Sequence, residues 1–137
     1  MNRLASMILV IVALAMAHGP ARAGGSLFGT TWRAVAIDNA PALDAVPTRL
    51  LIEADGSFRS FVGCNQLTGI ASVSYQRLTF ELLASTGKAC PSPASLQEQN
   101  YVAALDATRS FAIDGDVLKF YDAAGTPLVS FATDPPH

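Results

Sequence analysis

The sequence has 137 residues, with nine Lys or Arg against eleven Asp or Glu, and half of it is hydrophobic. That length suits one compact domain. Its scattered, mildly acidic charge excludes the basic footprint that nucleic-acid binding needs, and the basic amphipathic face of a membrane-surface protein.

The chain opens with "MNRLASMILVIVALAMAHGPARAGG". Arg3 is a short positive region, Leu4 to Ala17 is almost unbroken apolar sequence, and "ARA" at 21–23 is a small-residue cleavage signal. Residues 1–23 therefore read as a secretory signal peptide, removed after Ala23. The apolar run is too short for a resident span, so no stable membrane span is expected after cleavage. No cysteine stands directly after the cleavage point, which argues against a lipid anchor. The domain is then 24–137, periplasmic or secreted. Losing Arg3 and Arg22 leaves seven basic residues against eleven acidic, a net charge of −4.

Short strands follow. "TWRAVAI" (31–37) is the first, leading into the turn-rich "DNAPALDAVP". "RLLIEA" (49–54) and "SFRSFVG" (57–63) flank Asp55-Gly56, a two-residue hairpin signal. The loop "GCNQLTG" (63–69) precedes "IASVSY" (70–75). "RLTFELLA" (77–84) alternates Leu78, Phe80 and Leu82 with Thr79 and Glu81, the period of a half-buried strand.

After the loop "STGKACPSP", Ser95 and Glu98 form a capping-box pattern that opens one helix over about 95–108. Tyr101, Val102 and Leu105 supply its apolar stripe. "SFAID" (110–114), "VLKFYD" (117–122) and "PLVSFA" (127–132) complete the chain, with Asp114 and Asp116 read as turn residues around Gly115. The tail "TDPPH" has nothing to pack against. About eight evenly spaced strands and one helix predict a mainly β fold, an antiparallel barrel-like roll. One helix cannot supply the crossovers of a parallel sheet.

Catalytic chemistry is tested by elimination. His18 lies in the leader and His137 ends the tail, so the domain body has no histidine. Cys–His and Ser–His–Asp sites both need an imidazole beside the nucleophile. Glu53 and Glu81 have no spacing that marks an acid–base pair and read as solvent-facing. Trp32 and Tyr101 read as core residues with hydrogen-bonded polar tips, and Arg59 and Lys88 as solvated lone charges. No enzymatic activity, metal or cofactor is expected.

Cys64 and Cys90 are the only cysteines. An even count in an exported chain favours a disulfide between them. Closing such a loop contributes about 3.5 kcal/mol in the chain-entropy model. A nucleophilic Cys64 and a Cu(I) thiolate pair are the alternatives. Gly63 reads as a positive-φ or close-approach position, and Asn65 as a turn residue capping its own backbone.

"GCNQLTG", then "STGKACP", then Glu98, Tyr101 and Leu105 resemble the META/HslJ domain family. The first block is similar to its G-C-N-x-aromatic-x-G motif, here Gly63, Cys64, Asn65 and Gly69, and the second to its T-x-x-x-C segment, Thr86 to Cys90. "GTTWRAVAI" and "LKFYDAAGTPLVSF" are similar to its first strand and last hairpin, so the likeness covers about 28–132. Leu67 and Gly87 depart from the pattern. The resemblance implies a small barrel-like domain with one helix, associated with heat or envelope stress in bacteria and with virulence in some protozoa, and no established reaction.

Two function classes follow. One is a monomeric, non-enzymatic envelope protein that binds a protein, peptide or small apolar ligand in a barrel interior or at an uncovered sheet edge. The other is a thiol-based redox or copper-binding protein using Cys64 and Cys90.

Overall fold

A computed structural model of the protein describes residues 24–134. The leader reading of residues 1–23, with His18, and the last three residues, with His137, lie outside the described residues.

Among the described residues, nine antiparallel strands and one helix make the fold: β1 Thr31–Ile37, β2 Ala40–Pro41, β3 Thr48–Ile52, β4 Ser57–Val62, β5 Gln66–Ser74, β6 Arg77–Ser85, α1 Ala94–Ala107, β7 Ser110–Asp114, β8 Val117–Tyr121 and β9 Pro127–Thr133. The sheet order is β2-β1-β3-β4-β5-β6-β7-β8-β9, and β1 also pairs with β9, closing eight strands into a ring. The ninth, β2, is a two-residue addition at the end of β1, in what reads from sequence as a plain connection. Its turn is tight because Asp38 and Asn39 both take positive φ, which Asp and Asn tolerate best among non-glycine residues.

Alternation closes the core. Trp32 and Ala34 of β1, Leu50 and Ile52 of β3, Phe58 and Val62 of β4, and Leu118 and Phe120 of β8 all point inward and are buried. Aromatic rings run through the interior. Phe58 meets Phe80 edge-on at 5.2 Å, Phe80 lies 5.4 Å from Phe120, and Phe120 lies 5.0 Å from Phe131. Such pairs add about 0.5–1.5 kcal/mol each beyond their buried area. The barrel interior is thus filled by side chains.

The Asp55-Gly56 turn forms as its residues predict. Gly56 takes φ +89°, and Asp55 Oδ1 accepts from the Ser57 hydroxyl at 2.6 Å and the Ser57 N–H at 2.9 Å. The hydroxyl bond, then the amide bond, hold the Asp55 carboxyl below its ordinary range.

Helix α1 lies against the barrel. Gln97, Tyr101, Ala104 and Leu105 make its buried face, at the i, i+4, i+7, i+8 spacing of one helix side. Tyr101 is fully buried, its hydroxyl 2.9 Å from Ser60 Oγ, which donates to Arg49 O at 2.6 Å. Burial pushes the Tyr101 phenol far above its ordinary value, so it stays a neutral hydrogen-bonding group. Thr108 closes the helix by donating its hydroxyl to Ala104 O at 2.7 Å.

Several expectations are corrected. The helix begins at Ala94 with Pro93 as N-cap, and the capping box does not form: Ser95 Oγ lies 3.2 Å from Ser92 Oγ, and Glu98 is held by Asn65. Trp32 is buried as expected, but its indole N–H has no hydrogen-bond partner among the described residues. Arg59 is not a lone charge, since it lies 3.7 Å from Glu53. The tail is tied down as far as Asp134, whose N–H donates to Thr31 O at 2.9 Å and whose carboxylate pairs with Arg49.

Gln97 is a polar residue on the buried helix face. Its Oε1 accepts the Leu43 N–H at 2.8 Å, and its Nε2 donates to Val46 O at 2.9 Å and Thr48 Oγ1 at 3.3 Å. One amide thereby pins the 42–47 connection to the helix. Gln97→Leu leaves these backbone groups unpaired and is expected to lower stability by about 2 kcal/mol, with faster hydrogen exchange at the Leu43 amide as the local check.

Candidate functional site

The motif residues gather at one end of the barrel, where the β4–β5 connection meets the β6–α1 connection. Cys64 and Cys90 are joined in a disulfide with Cα atoms 6.2 Å apart, so neither cysteine is a free thiol. Gly63 has φ +91°, and a Cβ there would overlap the Val46 side chain. Gly69 is required by close approach, because a Cβ would strike Glu81 O and the Phe58 ring. That contact sits at the bulge where Thr68 pairs with Ala84 and Gly69 with Leu82.

Asn65 is the centre of this corner. It is buried, and its side chain does not cap its own backbone as a turn residue would. It reaches across instead. Oδ1 accepts the Thr86 hydroxyl at 2.7 Å and the Lys88 N–H at 2.8 Å. Nδ2 donates to Lys88 O at 3.0 Å and Glu98 Oε2 at 3.0 Å. Both amide hydrogens and both oxygen lone pairs are used. Thr86 Oγ1 in turn accepts the Gln66 N–H at 3.1 Å. The β4–β5 connection, the β6–α1 connection and the start of α1 are therefore locked together by one amide and one disulfide.

Gln66–Gly69 read from sequence as loop, but they begin β5, because Asn65 and the disulfide hold the chain extended beside Thr86.

Beside this corner a groove of about 670 Å³ opens between α1 and β6. Phe58, Phe80, Leu82, Val102 and Leu105 line its apolar part, the buried Asn65 side chain adds a polar patch, and Lys88, Glu98 and Asp106 stand at its rim. Leu82, on the apolar side of the β6 alternation, is 43% exposed and faces the groove. Its size falls within the ~300–1,000 Å³ typical of small-ligand sites. Phe80 and Leu82 belong to the strand alternation read from sequence, and Val102 to the helix stripe. That the two faces stand apart and leave a groove had no sequence signal.

Glu53 and Glu81 do not meet at the site: Glu53 pairs with Arg59, and Glu81 is exposed on β6. Among the described residues no three His, Cys, Asp or Glu side chains gather as a metal site, and no helix is long and apolar enough to cross a membrane.

The META domain family model matches residues 25–135. The chain belongs to the META domain family. This META domain is similar in fold to solved structures of low sequence identity. An NMR structure of a protein from Burkholderia xenovorans aligns with TM-score 0.64 and 21% identity, over 80% of this chain and 85% of that one. A crystal structure of a DUF4847 family protein from Bacteroides vulgatus aligns with TM-score 0.59 and 15% identity, over 81% and 96%. No curated protein matches the chain.

Proposed function

We propose that this META domain protein is an exported, non-enzymatic binding module of the cell envelope, periplasmic or secreted, which acts as a monomer under envelope stress. Its ligand is an apolar molecule or chain segment held in the groove between α1 and β6. The observation that carries the reading is the groove itself: an apolar floor of Phe58, Phe80, Leu82, Val102 and Leu105 left open on a domain whose barrel interior is filled. Large open apolar concavities on small domains mark interaction sites.

Export is supported by the leader pattern of residues 1–23 and by a disulfide that suits an oxidising compartment. The absence of catalysis is supported by the lack of any histidine between residues 24 and 134, which removes the usual base for a Ser or Cys nucleophile. The thiol-based reading loses its reactive group while the disulfide holds both sulfurs.

The test uses a neutral apolar fluorophore, N-phenyl-1-naphthylamine. Binding should weaken at least tenfold in Val102→Asp, which puts a charge in the groove, and stay unchanged in Ile70→Asp on the outer sheet face. Equal loss in both variants, or no binding by the parent protein, contradicts the assignment.

A further inference from the structure

β6 is nine residues long, yet only its first residue has a strand neighbour on each side. Along one flank it pairs with β5 from Arg77 to Ser85. On the other, among the described residues, it meets β7 at a single pair, Arg77 opposite Ser110. The Leu78 N–H donates to Arg109 O at 3.0 Å on that flank. Beyond it the chain that could have continued β7 is instead the end of α1. Backbone groups alternate sides along a strand, so those of Phe80 and Leu82 face the same open flank as Leu78. The same two residues turn their side chains into the groove. One face of the groove is therefore an unpaired strand edge beside an apolar floor.

Edge strands usually carry proline, lysine or inward charge to block pairing. From Thr79 to Ser85 the only charge is Glu81, and Leu82 and Leu83 are 43% and 61% exposed. The rim sets the charge of the occupant. Glu98 and Asp106 stand against Lys88, a net negative mouth on a domain of net negative charge. An anionic amphiphile is disfavoured there, and a neutral one leaves the β6 backbone without partners.

We propose that the groove takes an extended peptide segment of a partner protein, which adds as a strand to the open flank of β6. The segment has apolar residues at alternate positions, one row of which seats against Phe80, Leu82 and Val102, and carries a lysine or arginine. Main-chain hydrogen bonds supply affinity in this mode, and alternate side chains supply specificity. The inference rests on the reading of the groove as the binding site and names its occupant.

The experiment titrates the oxidised ¹⁵N-labelled domain with three capped seven-residue peptides, each a lysine followed by alternating threonine and one of valine, isoleucine or phenylalanine. At least one should bind, shift the Phe80 and Leu82 amide resonances and slow their hydrogen exchange. N-methylation of alternate peptide nitrogens, which removes strand hydrogen bonds, should weaken it at least tenfold, and glutamate in place of its lysine about threefold. Failure of all three peptides, or an N-methylated peptide that binds equally well, overturns the proposal. If N-phenyl-1-naphthylamine still binds in a Val102-dependent way, the groove remains a binding site and only strand addition fails. If neither binds, both readings fail.

Discussion

Replacing Asn65 with alanine is expected to lower the unfolding free energy by about 3 kcal/mol, which lowers the melting temperature by on the order of 10 °C. The side chain makes four hydrogen bonds, to Thr86, to both backbone groups of Lys88 and to Glu98. Each is worth about 1 kcal/mol, and water can reach some of the abandoned groups, so the loss stays below the sum of bonds and desolvation. Asn65→Asp is the sharper probe. It keeps the acceptor for Thr86 and the Lys88 N–H but sets a carboxylate against Lys88 O and the Glu98 carboxylate. Its loss should exceed that of alanine at pH 7. It should shrink as pH falls, because protonating the introduced carboxyl removes the repulsion and restores a donor. Thermal melts of the parent and both variants at pH 7 and pH 4 read this directly. A pH-independent loss for Asn65→Asp contradicts the donor assignment to Glu98.

Removing the disulfide has a comparable effect by a different route. Changing both Cys64 and Cys90 to serine should lower stability by about 3.5 kcal/mol, because the unfolded chain regains the freedom of a loop spanning 26 residues. Urea unfolding of the parent and the double variant measures it. The two perturbations share a structure. Asn65 is adjacent to Cys64, and Lys88 lies two positions before Cys90, so both devices hold the β4–β5 connection to the β6–α1 connection. Once one is gone, the other holds a looser corner. Their effects should therefore fall short of additivity by about 1 kcal/mol in a double-mutant cycle.

Much of this was legible from residues alone. The period of two in "RLTFELLA" identified β6, and the Asp55-Gly56 pair fixed the β3–β4 hairpin. The two cysteines, an even count behind a leader-like N-terminus, indicated their bond. What escaped were interactions that only the third dimension brings together. Ser95 and Glu98 have capping-box spacing, but Asn65, 33 residues earlier, takes the carboxylate. Asn65 looked like a local turn residue because its partners lie more than 20 positions away. Gln97, four positions before Tyr101, is on the buried stripe, and a polar residue there could have signalled a pinned loop. The groove depends on how far α1 stands from β6, a distance that no periodicity encodes.

Chemical-shift mapping of the oxidised domain with N-phenyl-1-naphthylamine tests the central claim most directly, that the space between α1 and β6 is where this META domain binds. The account predicts that the largest amide shifts fall at Phe80, Leu82, Val102 and Leu105, with the outer-face residues Phe61 and Ile70 unmoved. Shifts centred on Phe61, Ile70 and Leu83, or spread evenly over the barrel, would contradict it.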